Sequence, residues 1–227
     1  MIAPKLVLID LDGTLIDSVP DLAYAVDTMM AILELPQRGE KRVRQWVGNG
    51  IERLVKRALI GELNGEPDQA LYESALPLFK KAYMQCNGIH SQLYPHVREG
   101  LDWLKANHYT IACVTNKAEQ FTLPLLKKLA IHDDFALIIS GDSLPKKKPD
   151  PLPLLHAAKH FNILPQEALM IGDSMNDVQA ARAANFHVIC VPYGYNHGED
   201  IHLAKPDAVI ESFADLSQIL AEYKTSN

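Results

Sequence analysis

The sequence is poor in cysteine, in aromatic side chains and in basic charge, and each shortage excludes something. Three cysteines in 227 residues cannot all pair with one another, so this is no disulfide-stapled scaffold. Cys113 and Cys190 stand inside apolar runs, where a free thiol packs as a small hydrophobe; Cys86 carries no signal. Such usage fits a reducing, cytoplasmic setting. No apolar run approaches the roughly 20 residues of a membrane helix. The start, "MIAPKLVLID", lacks the basic region and small-residue cleavage site of a signal peptide. A membrane is therefore not an expected partner. Lys and Arg total 22 against 28 acids, for a net charge of −6, and the one basic run, Lys146 to Lys148, is short, which argues against nucleic acid as a partner. With aromatics at 7%, Trp46, Trp103 and Phe121 read as packing residues rather than a stacking platform. Internal repeats and low-complexity tracts are absent.

Apolar residues are abundant. They make up 48% of the chain, enough to bury one large core, or one core and a smaller insert. Short apolar runs at Leu6–Ile9, Ile111–Val114, Ala136–Ile139, Ala168–Ile171, Val188–Val191 and Ala208–Ile210 lack a period of two, as expected of strands buried on both faces. Amphipathic helices such as "REGLDWLKANH", "AEQFTLPLLKKLA" and "NDVQAARAAN" alternate with them. The pattern implies an α/β fold, a Rossmann-like open parallel sheet. Residues 18–90 break the rhythm with helical spacing alone. "VPDLAYAVDTMMAILEL" is one helix, "IERLVKRAL" puts Ile51, Leu54, Val55, Ala58 and Leu59 on one face, and "LYESALPLFKKAYMQC" carries Pro77 as an expected bend. The division expected is a core of residues 1–16 and 91–227 with a helical domain, 17–90, inserted.

In an open α/β sheet the ligand site lies beyond the carboxyl ends of the strands. The first strand runs straight into Asp10 and Asp12, two acids that repel each other unless something neutralises them. The second ends on Thr115 and Asn116. The fourth is followed by Gly172, Asp173, Ser174 and Asp177, and Lys148 precedes a proline on a loop entering a helix. If these converge, four carboxylates share one pocket, and an oxygen-only donor set calls for a hard divalent ion, Mg²⁺. The roles follow. Asp10 attacks phosphorus and forms an aspartyl-phosphate; Asp12 protonates the leaving alcohol and later deprotonates water. Thr115, Asn116 and backbone N–H groups hold phosphoryl oxygens while Lys148 balances charge. Asp173 is a metal ligand, and Asp177 a second ligand or an outer-shell partner.

The segments "DLDGTL", "TNK", "KKPDP" and "GDSMND" together resemble, in chain order, the four motifs of the haloacid dehalogenase superfamily, and the helical insert resembles its C1 cap. The likeness spans essentially the whole chain. It implies Mg²⁺ held by Asp10, the backbone carbonyl of Asp12 and Asp173. Dehalogenating members lack an acid at the position of Asp12, so phosphoryl transfer is implied. "DLDGTLIDSVPDLAYAVD", "WVGNGIERLVKRAL", "YPHVREGLDWL" and "VPYGYNHGEDI" are similar to the bacterial phosphoglycolate phosphatases within that superfamily. This implies a small phosphorylated organic acid, 2-phosphoglycolate, as substrate. The alternatives are phosphatases for sugar phosphates or pyrophosphate, a phosphosugar mutase, and a catalytically silent binding protein. "WVGNG" lacks the spacing and the Lys-Ser/Thr of a P-loop and reads as a turn feeding the helix from Ile51. Helix N-termini attract anions, so Asn49, Gly50 and Arg53 are candidate contacts to a substrate carboxylate. His156 and His160, four apart, have no third partner for zinc. Oligomeric state leaves no trace in the sequence.

Overall fold

A computed structural model describes residues 4–225. Six parallel strands form the sheet: β1 (Leu6–Ile9), β4 (Thr110–Val114), β5 (Leu137–Ile139), β6 (Ala168–Gly172), β7 (His187–Cys190) and β8 (Ala208–Val209), in the order β5-β4-β1-β6-β7-β8. Each matches a run read from the sequence to within one residue at either end. The reason for their continuous hydrophobicity is visible in β1. Val7 and Ile9 pack on one side with Ile111, Cys113, Leu169, Ile171 and Ile189. Leu6 and Leu8 pack on the other with Ala112, Val114, Met170, Val188 and Cys190. Every residue of such a strand faces a core, so no polar alternation survives.

Helices cover both faces. On the first lie α5 (Val97–Ala106), α6 (Glu119–Lys128) and α9 (Leu216–Thr225); on the second lie α7 (Leu152–His160) and α8 (Met175–Ala184). Between β1 and β4 come α1 (Val19–Ile32), α2 (Gly39–Trp46), α3 (Ile51–Ile60) and α4 (Gln69–Cys86). These four bury a third cluster of their own, including Val26, Met29, Met30, Val55, Phe79 and Tyr83, joined by Phe121 and Tyr195 from the sheet side. α4 runs unbroken through Pro77. One pairing was not read from the sequence: β2 (Ile16–Asp17) and β3 (Gln92–Leu93) form a two-residue antiparallel ribbon where the chain enters and leaves the inserted helices. Two residues carry no periodicity, so nothing in the pattern announces it.

Register positions the chemistry. Ile9 pairs with Cys113 on one side and Ile171 on the other, so the residues just past these strands, Asp10, Thr115 and Asp173, emerge together at one edge. Asp10 N–H still donates to Ile171 C=O at 2.9 Å, and Thr115 N–H to Ile139 C=O at 2.9 Å. The sheet thus grips the backbone of the site on both sides. Among the described residues no helix is long and apolar enough to cross a membrane.

Candidate active site

β1 delivers Asp10 to the edge of the sheet, and the chain then turns tightly. Gly13 takes φ +91°, and its N–H donates to Ile16 C=O at 2.9 Å. A side chain on Gly13 would collide with the carboxylate of Asp173, as would one on Gly194 from the loop after β7. Both glycines let backbone close around an acid. Asp173 is held by Thr14 Oγ1, which donates to Oδ1 at 3.0 Å, and by Tyr195 N–H, which donates to Oδ2 at 2.5 Å.

Lys148 is the neutralising cation. Its Nζ lies 2.8 Å from Asp10 Oδ1 and 2.7 Å from Asp177 Oδ1, and donates to Val114 C=O at 2.6 Å. Its side chain is 1% exposed. Burial alone disfavours the ammonium, but Asp10 and Asp177 outweigh it and hold the lysine above its usual range. Asp10 goes the other way: burial, reinforced by the charge of Asp177, outweighs Lys148 and lifts its carboxyl to about 7. Asp173 is raised as well, by burial and by the charges of Asp177 and Asp10. One lysine is too little positive charge for three buried acids.

One oxygen each from Asp10, Asp173 and Asp177 lies within 4.8 Å of the others. The donors are carboxylates only, and the cluster is short of positive charge, so the residues fit a small, hard divalent cation. Asp177 is the least available of the three. It accepts from Ser174 Oγ at 2.7 Å and Ser174 N–H at 3.1 Å, closing a capping box at the start of α8, and its other oxygen holds Lys148. The side chain of Asp12 stands outside the cluster, turned to Lys117.

Above Asp10 and Asp12 opens a small cavity walled by Leu22, Val47, Gly48, Gly50, Ile51 and Leu54 from the inserted helices, and by Thr115, Asn116 and Lys117 from the sheet. Thr115 Oγ1 accepts from Lys117 N–H at 3.2 Å. Asn116 Nδ2 donates to Gly48 C=O at 3.0 Å and Lys148 C=O at 2.9 Å, tying the insert to the lysine loop. Gly50, at φ +87°, opens α3 with no side-chain cap. The three insert residues singled out in the sequence thus separate. Gly50 lines the cavity. Asn49 does not; its Nδ2 donates to Asn176 Oδ1 at 3.3 Å across to α8. Arg53 is drawn away to Glu66 at 2.7 Å and Gly65 C=O at 3.2 Å, because helical spacing puts it on the outer side of α3, opposite Leu54 and Val55.

Three groups were passed over in the sequence. Lys117, directly after Thr115-Asn116, has its side chain 2% exposed and its Nζ 3.1 Å from both oxygens of Asp12. Tyr83 of α4 accepts from the same Nζ at 2.6 Å. Tyr195, whose N–H holds Asp173, donates its hydroxyl to Asp17 Oδ1 and accepts from Ser18 N–H at 2.9 Å. Asp17 is in turn clasped by Arg44 of α2. Lys117 had an available signal in its position inside the strand-end motif, and Tyr195 in its position inside "VPYGYNHGEDI"; Tyr83 had none, being brought in by packing.

A family model described as haloacid dehalogenase-like hydrolase matches residues 7–191. Among curated proteins, phosphoglycolate phosphatase of Nitrosococcus oceani is 58% identical over 219 residues, covering 96% of this chain and 97% of that protein. That of Nitrosospira multiformis is 50% identical, covering 95% of each. A crystal structure described as a predicted phosphoglycolate phosphatase from Haemophilus somnus superposes with a TM-score of 0.91 at 36% identity, covering 96% of this chain and 99% of that one. Family match, relatives and fold agree with the site geometry: the chain belongs to the haloacid dehalogenase-like hydrolases.

Proposed function

We propose that the protein is a Mg²⁺-dependent phosphomonoesterase that hydrolyses 2-phosphoglycolate to glycolate and phosphate. One observation carries the chemistry: the carboxylate of Asp10 lines a cavity, with Lys148 at 2.8 Å and two further buried acids beside it. The substrate name is supported by the relatives at 50% and 58% identity.

Asp10 attacks phosphorus, the bond from phosphorus to the ester oxygen breaks, and that oxygen takes a proton from the carboxyl of Asp12. Asp12, now a carboxylate, accepts a proton from water as the water attacks the aspartyl-phosphate. Phosphate leaves and Asp10 is restored. Thr115, Asn116 and Lys148 hold the phosphoryl oxygens, Lys148 offsetting the charge that grows on them. Asp10, Asp173 and the backbone carbonyl of Asp12 would hold Mg²⁺, which shields the negative charge shared by phosphoryl group and nucleophile. Asp177 serves from outside, by fixing Lys148 and the turn that carries Asp173. Residues 17–90 act as a cap over a core of 1–16 and 91–227; the separate hydrophobic cluster of α1 to α4 supports that division. The two-stranded ribbon of β2 and β3 is its hinge, and closure excludes water during the first step. Gly50 is a cap position that lines the cavity above Asp10. A reducing, cytoplasmic setting agrees with three buried, free cysteines.

The test is phosphate release from 2-phosphoglycolate, sugar phosphates, pyrophosphate and an aryl phosphate, with and without Mg²⁺, beside Asp10→Asn. A kcat/KM highest for 2-phosphoglycolate, lost in the variant and with chelator, is the expected result. Release from another ester alone discards the substrate; no Mg²⁺-dependent release from any discards the reaction.

A further inference from the structure

Lys117 is the one cation among the described residues that line the cavity. Its ammonium is almost fully buried, with three partners: the two oxygens of Asp12 and the hydroxyl of Tyr83. The ring of Tyr83 also lies 4.9 Å from Nζ. The walls facing it, Leu22, Val47, Ile51 and Leu54, are apolar. A substrate whose ester oxygen meets Asp12 must place its next few atoms among these groups. In a phosphorylated short-chain acid the carboxylate stands one methylene from that oxygen, within the neighbourhood that Lys117 shares with Asp12. A carboxylate against those apolar walls alone would lose its hydration without return. An ammonium already stripped of water is the complement that removes this cost.

Resting on the phosphatase reading above, we propose that Lys117 receives the carboxylate of the substrate and so sets the preference for a phosphorylated acid over a neutral phosphate ester. The incoming carboxylate takes N–H donors now given to Asp12. Asp12, released from that pair, is free to meet the ester oxygen, where the proton transfer of the phosphatase reading takes place. Tyr83 keeps the ammonium in place during the exchange, so the inserted helices contribute to specificity through a residue that needs no contact with substrate. The surrounding apolar walls favour a short acid over a polyhydroxylated chain.

The deciding comparison is kcat/KM for 2-phosphoglycolate and for 2-hydroxyethyl phosphate, which replaces the carboxylate by a neutral CH₂OH. Lys117→Met also strips Asp12 of a partner and slows both esters; their ratio isolates the carboxylate. We expect the ratio to fall by about 100-fold, as for removal of one partner of a buried charge pair. Lys117→Arg, which keeps the charge, should restore most of it. Should the Met variant fail to fold by circular dichroism, Lys117→Gln set against Lys117→Arg makes the same comparison. A ratio within about 3-fold of wild type in the neutral variant, with both esters slowed alike, overturns the inference and leaves Lys117 as a holder of Asp12 only. Wild-type protein inactive on both esters overturns the 2-phosphoglycolate assignment, and this inference with it; inactivity extending to the sugar phosphates, pyrophosphate and aryl phosphate overturns the phosphatase reading as well.

Discussion

Removing the charge of Asp21 should cost the protein more stability than any surface acid, although Asp21 is remote from phosphate chemistry. Asp21 lies in the first turn of α1 and is 0% exposed. Its Oδ2 accepts from Gly88 N–H at 2.8 Å, Ser91 N–H at 3.0 Å and Ser91 Oγ at 2.5 Å, and its Oδ1 from His90 N–H at 2.9 Å. One carboxylate thereby pins the first inserted helix to the segment that leads out of the insert into β3. In Asp21→Asn the amide oxygen can replace Oδ2, but the amide nitrogen then faces His90 N–H, donor against donor. An unmade buried bond costs about 1–3 kcal/mol, and three bonds losing their charge assistance cost roughly 1 kcal/mol each. The cheaper burial of a neutral group offsets part of this, leaving about 2–4 kcal/mol. For a chain of this length each kcal/mol moves Tm by about 2–4 °C, so the midpoint should fall by about 5–15 °C. The assay is thermal unfolding by circular dichroism. Asp68→Ala is the comparison, since Asp68 caps α4 through a single exposed bond to Leu71 N–H and should cost about 1 kcal/mol. A fall of less than about 2 °C in Asp21→Asn, or a larger fall in Asp68→Ala, would refute the reasoning.

Three further outcomes follow from the site. Asp177→Asn frees Lys148 to pair with Asp10 alone, so kcat should fall by about 10- to 100-fold while the Mg²⁺ concentration giving half-maximal rate moves by less than about 5-fold; a large shift in that Mg²⁺ requirement with kcat retained would make Asp177 a direct ligand. Arg53→Ala, which breaks only the exposed contacts to Glu66 and Gly65, should leave kcat/KM for 2-phosphoglycolate within about 2-fold of wild type; a drop of an order of magnitude would return Arg53 to the substrate. The third concerns pH. Asp10 binds its proton up to about 7 in the folded, metal-free protein, chiefly because of burial, against 3.8 for the free side chain. Between those values the folded state carries more protons than the unfolded one, so this contribution is full below about pH 4 and is lost as pH rises through about 7. A cation that takes the place of the proton should therefore raise Tm more at pH 8 than at pH 5, read by differential scanning calorimetry with and without Mg²⁺. An equal or smaller shift at pH 8 would contradict the placement of Mg²⁺ on Asp10.

The sequence by itself determined the strands and the acids that end them. Strands such as Leu6–Ile9 and Ala168–Gly172 are buried on both faces, and that condition writes itself into the chain as unbroken apolar runs. The same holds for α3, whose apolar face from Ile51 to Leu59 is a local repeat. Which runs stand side by side is a tertiary outcome: β1 lies between β4 and β6, and that pairing brings together the residues that end those runs, Asp10, Thr115 and Asp173. Tertiary structure alone decided which neighbour each charge would take. Lys148 settles between Asp10 and Asp177; Lys117 turns to Asp12 and Tyr83; Arg53 turns outward to Glu66. Tyr195 links Asp173 to Asp17 of β2, 178 positions away along the chain. Periodicity reports how a residue faces its own element, within a turn or a pleat. The pairing of long, flexible charged side chains depends on where other elements come to rest, and no local pattern records that.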